Sequence, residues 1–241
     1  LPTASFSTCP TSILVGSTTY YRKNTTNFKN EKGEEQALNS TTYSNLDGAT
    51  QISYSEYNYN ASNALTDVST YRNDTKARLV SRTYYDIRLG QGNEIANYSF
   101  SYNSLGAIKE TSVFFYGSNL RSNGAGIDEN SAMSATVSFD GDKTSSLGTI
   151  TFATTASRQS ITYYTGAAKE EVAKFSVNYD KSNGTTVKDT TVFFYDSAFL
   201  KAGASGVSSD TKMTRQVSYR SVALTSGQVD SLITSTTIAT I

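Results

Sequence analysis

Three pairs of carboxylates stand close enough in sequence to act on a single bond. They are Glu34 with Glu35, Glu170 with Glu171, and Asp140 with Asp142. Two carboxyl groups flanking one bond are the machinery of glycoside hydrolysis, one as acid and the other as base or nucleophile. That chemistry needs the groups on opposite sides of a cleft, and adjacency in sequence does not place them there. Glu170 and Glu171 fall in a loop of the repeat described below, where a solvated role is expected. Asp140-Gly141-Asp142 is too short for a calcium loop, which draws oxygen ligands from set positions along a longer segment.

The rest of the catalytic repertoire is narrowed by absence. The 241 residues contain no His and one Cys. No Ser-His-Asp or Cys-His pair can form, and no His-ligated zinc, haem or non-haem iron site. Cys9 alone makes neither an intrachain disulfide nor a thiolate cluster. The expectation is a protein without a cofactor and without catalytic activity.

Lys plus Arg and Asp plus Glu each number 21, giving a formal charge of zero. A neutral chain is a poor electrostatic partner for nucleic acid, and no stretch approaches the roughly 20 apolar residues of a helical membrane span. Ser and Thr supply 69 of the 241 residues, and Tyr 17. Tyr, Thr, Val and Phe fill half-buried strands, so the composition predicts an all-β fold with a polar, weakly charged surface. A removed leader or a processed precursor would explain the start at Leu1 rather than Met.

The strongest sequence signal is internal repetition. Thr83-Tyr84-Tyr85 recurs as Thr162-Tyr163-Tyr164, and Lys109–Tyr116 recurs as Lys188–Tyr195, both at an offset of 79. Glu94, Ala96, Ser99 and Tyr102 match Glu171, Ala173, Ser176 and Tyr179 at an offset of 77. A degenerate copy precedes these, with Tyr59-Asn60 opposite Tyr102-Asn103. The chain divides into an N-terminal arm (1–17), a degenerate unit (18–82) and full units at 83–161 and 162–241.

Within each unit the alternation is that of strands. Tyr98, Phe100 and Tyr102 share one face, and Asn97, Ser99 and Ser101 the other. Phe175, Val177 and Tyr179 repeat the pattern against Lys174, Ser176 and Asn178. Asn103–Gly106 and Lys181–Gly184 read as turns. Segments 117–131 and 196–211 read as loops, and Lys32–Leu38 as a short helix. The predicted architecture is a tandem array of antiparallel β-hairpins forming a β-sandwich or a β-solenoid-like stack.

Tyr102-Asn103-Ser104-Leu105-Gly106-Ala107-Ile108-Lys109-Glu110-Thr111 resembles the YD (RHS-type) repeat, Tyr-Asp-x-x-Gly-Arg-Leu-x-x-x-Thr. Tyr179-Asp180 opens a second copy. The Arg of that motif is replaced by Ala107, and the copies here lie much farther apart. Proteins with this repeat are large bacterial surface or secreted proteins. The resemblance implies tandem β-hairpins in an extracellular setting.

Two kinds of segment are candidates for contact between chains. Val113-Phe114-Phe115-Tyr116 and Val192-Phe193-Phe194-Tyr195 are apolar on both faces and fit core strands or strands shared between subunits. The termini carry strand-like segments suited to donation into a neighbour: Ile13, Leu14 and Val15 near the start, Leu232, Ile233, Ile238 and Ile241 at the end. These features point to a secreted or cell-surface structural subunit of a pilus-like filament or surface layer, with copies of itself as partner. The alternative is a surface binding module or adhesin that recognises glycan or protein through loops 117–131 and 196–211. Tyr-rich faces could stack on sugar, although Trp, the usual residue for that, is absent.

Overall fold

The computed structural model describes residues 10–15, 17–21, 23–30, 35–44 and 46–232. They fold into two antiparallel sheets. A hairpin of β1 (Ser12–Val15) and β2 (Thr18–Tyr21) stands apart from a fourteen-stranded sheet. The long strands of the large sheet are β3 (Asn24–Lys29), β4 (Gln36–Tyr43), β5 (Gln51–Tyr59), β6 (Leu65–Tyr71), β7 (Leu79–Asp86), β8 (Ile95–Tyr102) and β9 (Ile108–Tyr116). A two-residue strand follows, β10 (Leu120–Arg121), then β11 (Met133–Asp140), β12 (Arg158–Thr165), β13 (Val172–Tyr179), β14 (Val187–Tyr195), β15 (Leu200–Lys201) and β16 (Met213–Arg220). Each long strand pairs antiparallel with the next, so the sheet is a meander. It does not close: among the described residues β3 and β16 are its two edges.

The fold is all-β and built from tandem hairpins, as the alternation predicts. The expected helix over Lys32–Leu38 is not formed at its C-terminal end, because β4 begins at Gln36. Gln36 and Tyr43 are buried there, and antiparallel pairing to β3 and β5 outweighs the local helix preference of Glu, Gln, Ala and Leu. The described helical segments are a 3₁₀ turn at Thr144–Thr149 and helix α1 at Ser226–Ser231. Helix α1 has a signature in the sequence: Thr225 accepts from the Gln228 N–H, and the Gln228 side chain accepts from the Thr225 N–H.

Strand register creates one row across the sheet. Asn58, Asp67, Tyr84, Tyr98, Val113, Val137, Ile161, Val177 and Thr190 are successive cross-strand partners. Directly opposed residues share a face, so this face changes from polar at β5–β6 to apolar at β9–β14. Two segments cover its apolar part. The chain after β11 brings Leu147, Ile150 and Phe152 over Val113, Phe115, Val137, Phe139 and Ile161. The chain after β16 brings Leu224, Val229 and Leu232 over Phe175, Val177 and Val192. These two covers, 141–157 and 221–232, are called caps below. Burial of a large apolar side chain contributes about 1.5–3 kcal/mol, so each cap is held chiefly by its two or three apolar anchors.

Candidate functional site

The Val-Phe-Phe-Tyr segments occupy β9 and β14. Val113 and Phe115 face the first cap and are buried, and Val192 faces the second with Phe194 half-buried beside it. On the opposite face Phe114 and Tyr116 pack with Ile95 and Ile127, while Phe193 and Tyr195 pack with Val172 and Ala202. The Tyr116 hydroxyl donates to Ala96 O and the Tyr195 hydroxyl to Ala173 O, each at 2.6 Å. Burial raises both phenols above their ordinary pKa. Both strands are paired on both sides, β9 by β8 and β11, β14 by β13 and β16. Their backbone edges are taken up within the chain.

Loops 117–131 and 196–211 are not loose. Each contains a two-residue strand, β10 or β15, and each tucks an apolar residue onto the opposite face: Ile127 beside Tyr116, and Ala202 and Val207 beside Tyr195. Arg88 fastens the first by donating to the carbonyls of Ser122 and Ile127.

The carboxylates have structural partners. Glu94 accepts from the Leu65 N–H and Glu171 from the Met133 N–H, both at 2.7 Å. These are the residues that the repeat aligns. Glu171 lies in the loop before β13, as expected, but in place of a purely solvated role it anchors the start of β11. Glu170 accepts from Ser209. Asp142 accepts from the Thr144 hydroxyl and N–H, which hold its carboxyl below the ordinary pKa. Asp140 accepts from Gln159 and Lys181. Glu34 lies outside the described residues. Among the described residues no group of three or more His, Cys, Asp or Glu is placed to hold a metal ion.

Sequence reasoning overlooked Asp67. It is 5 % exposed and accepts from Arg82 Nε at 2.8 Å and Asn58 Nδ2 at 2.9 Å, with Thr66 and Ser69 as further donors. Burial pushes its carboxyl up, but the hydrogen bonds from Arg82 and Asn58 and the Arg82 charge outweigh this and hold it below the ordinary value. A lone Asp in a Thr-rich strand carries no sequence mark of such a hub.

The terminal candidates separate. Leu14 and Val15 lie in the free-standing hairpin and are 70 % and 59 % exposed. Ile13 pairs with Tyr20 through the backbone. Leu232 packs beneath its own cap, and its carbonyl accepts from Lys201. Ile233, Ile238 and Ile241 lie outside the described residues, as does Cys9.

The two edges differ from the interior. Strand β16 occupies the place that β11 holds in the preceding unit. In β11 the residues Ala135, Val137 and Phe139 are fully buried between β9 and β12. Their counterparts Arg215, Val217 and Tyr219 remain partly or largely open. Strand β3 is similarly open, with Phe28 59 % exposed. No described helix is long and apolar enough to cross a membrane.

Comparison with protein-family models and with characterised proteins finds no match.

Proposed function

We propose that the chain is a structural subunit of an extracellular filament or surface layer, without enzymatic activity. It lengthens by pairing the β16 edge of one copy with the β3 edge of the next. The observation that carries this reading is the direction of the edges. Twelve long strands alternate in direction along an open sheet, so the first and last run oppositely. A second copy stacked in the same orientation therefore meets the first in an antiparallel junction. No inversion of the subunit is needed, which is the condition for an open, head-to-tail polymer. Unpaired edge N–H and C=O groups supply the adhesion, and a Ser/Thr-rich surface keeps the fibre wetted without net charge.

Both edges are cationic: Lys23 precedes β3 and Lys29 ends it, and Arg215 and Arg220 lie on β16. Like charges on facing strands oppose pairing until salt screens them. Assembly is thus favoured by rising ionic strength.

Gln216, exposed in the middle of β16, provides the test. Gln216→Glu should lower the concentration at which the protein polymerises by about two- to fivefold at low salt. Gln216→Lys should raise it by a similar factor, as expected for cross-strand charge pairs. Sedimentation velocity on a dilution series reads both. Equal behaviour of the two variants, with both folded by circular dichroism, would remove β16 from the contact.

A further inference from the structure

The two edges of the large sheet match the two halves of a junction that the chain already makes inside itself. The β3–β4 hairpin reproduces the β12–β13 hairpin pair for pair. Asn24 opposes Thr42 and Asn27 opposes Asn39, as Ser160 opposes Asn178 and Tyr163 opposes Phe175. Both hairpins then carry a β-bulge at the same place, with Leu38 the extra residue in β4 and Lys174 in β13. The turns that follow agree as well. The N–H groups of Ala49 and Thr50 donate to Asp47 Oδ1, and those of Thr185 and Thr186 to Asn183 Oδ1. Strand β3 therefore stands at the place of β12.

Strand β16 stands at the place of β11 with equal exactness. Val217 opposes Val192 on β14, as Val137 opposes Val113 on β9, and each pairing has one extra residue, Thr214 or Ser134. Inside the chain β11 pairs with β12, with Ser138 opposite Ser160, Val137 opposite Ile161 and Thr136 opposite Thr162. The sheet thus ends in a β11-type edge on one side and a β12-type edge on the other. Strand β12 is entered from the first cap. Strand β3 is entered from the β1–β2 hairpin, which stands apart from the large sheet and leaves the outer edge of β3 open among the described residues.

Resting on the edge-to-edge assembly proposed above, we infer that copies join in the β11–β12 register. Ser218 of one copy lies opposite Asn24 of the next, Val217 opposite Thr25 and Gln216 opposite Thr26. The same register places a brake on the junction. Inside the chain Gln159 Nε2 donates to Asp140 Oδ1 at 2.8 Å. Counting along the matched strands puts Lys23 at the place of Gln159 and Arg220 at that of Asp140, and both are exposed. An amide on a carboxylate is replaced by two cations, which repel until salt screens them.

Disulfide trapping reads the register. In a Cys9→Ser background, a chain carrying Thr25→Cys and Val217→Cys should oxidise into a ladder of linked multimers, because directly opposed Cα atoms lie at roughly 4.5–5.5 Å, within disulfide reach. Asn27→Cys with Val217→Cys, displaced along the strand, should link about tenfold more slowly, since its Cα atoms fall outside that reach. Lys23→Glu should lower the polymerising concentration about two- to fivefold at low salt. That gain should vanish in the Arg220→Gln background and persist in Arg215→Gln. Circular dichroism verifies the fold of each variant. Equal or faster trapping of the displaced pair would overturn the register while leaving edge-to-edge assembly standing. So would fibres in which neither pair is trapped, or a Lys23→Glu gain that survives Arg220→Gln. Chains that stay monomeric at every concentration would remove both.

Discussion

Arg121 and Lys201 stand at equivalent places in the two full units, and each pins the cap of its own unit. Arg121 Nη1 donates to the carbonyls of Leu147 at 2.9 Å and Ile150 at 3.3 Å. Lys201 Nζ donates to those of Val229 at 3.1 Å and Leu232 at 2.6 Å. Leu147 and Ile150 in the 3₁₀ cap correspond to Val229 and Leu232 in the helical cap. One device thus serves two different local structures: a cation on the short strand donates to carbonyls at the end of a helical turn. Burial lowers the Arg121 pKa from its ordinary value, yet guanidinium stays charged at any working pH.

Removing the cation should loosen the cap without dissolving the sheet. Lys201→Met keeps the aliphatic stem and deletes the donor. Amide exchange across 221–232 should accelerate by about tenfold, while β13 and β14 stay protected. A charge-assisted hydrogen bond is worth about 1.5–3 kcal/mol, and the low end applies here because the ammonium touches solvent. Uniform acceleration across the sheet would show that cap and sheet open as one.

Thr111 and Thr190 hold the caps from below. The Thr111 hydroxyl donates to Gly141 O at 2.8 Å and accepts from the Lys143 N–H. The Thr190 hydroxyl donates to Val222 O and accepts from the Leu224 N–H. Both threonines are fully buried. Thr→Val at either site preserves shape and strands one N–H and one C=O. A loss of about 1–3 kcal/mol in each is expected from denaturant unfolding. A loss below about 0.5 kcal/mol in both would mean that the caps relax to find water.

Two glycines in the turns of corresponding hairpins should respond differently to alanine. Gly106 has φ +80° with open space around it, and Gly184 has φ +65° with a Cβ that would drive into the Thr155 carbonyl. Gly106→Ala meets only the backbone cost of about 1–2 kcal/mol. Gly184→Ala adds displacement of the first cap at Thr155, beside the bond that Gly184 O accepts from Arg158 Nε of β12 at 3.1 Å. A melting temperature lowered clearly more in Gly184→Ala than in Gly106→Ala is the expected order. The reverse order would contradict docking of this turn on the cap.

Asp67 makes the sheet acid-sensitive. Its folded pKa lies below the ordinary aspartate value of about 3.9. A carboxyl depressed on folding stabilises the protein above its unfolded pKa and loses that contribution as pH falls through the folded value. Asp67→Asn should therefore be less stable than the native chain by about 1–3 kcal/mol at pH 7, with the difference shrinking below about pH 4. A difference that stays constant from about pH 7 to about pH 3 would show that the carboxylate charge is not involved.

Much of the sheet could be read from the sequence because period-two alternation and turn chemistry are local signals. Tyr98 and Phe100 on one face, Ser99 and Ser101 on the other, and the Asn103–Gly106 turn are examples. The Glu94 and Glu171 match proved to mark a shared anchoring contact. The caps were not legible. A segment that lies across a sheet needs only a few apolar anchors, such as Leu147, Ile150 and Phe152, and these follow no period.

The most direct test of edge-to-edge assembly is the axial repeat of the polymer. Stacking twelve strands at about 4.8 Å each gives a rise of ~58 Å per subunit, with strands perpendicular to the fibre axis. Cryo-electron microscopy of the protein, concentrated at physiological salt, should give fibres with a rise near that value and a strand spacing of about 4.8 Å along the axis. A monodisperse species of 26.1 kDa at every concentration, or fibres with strands running along the axis, would contradict edge-to-edge assembly.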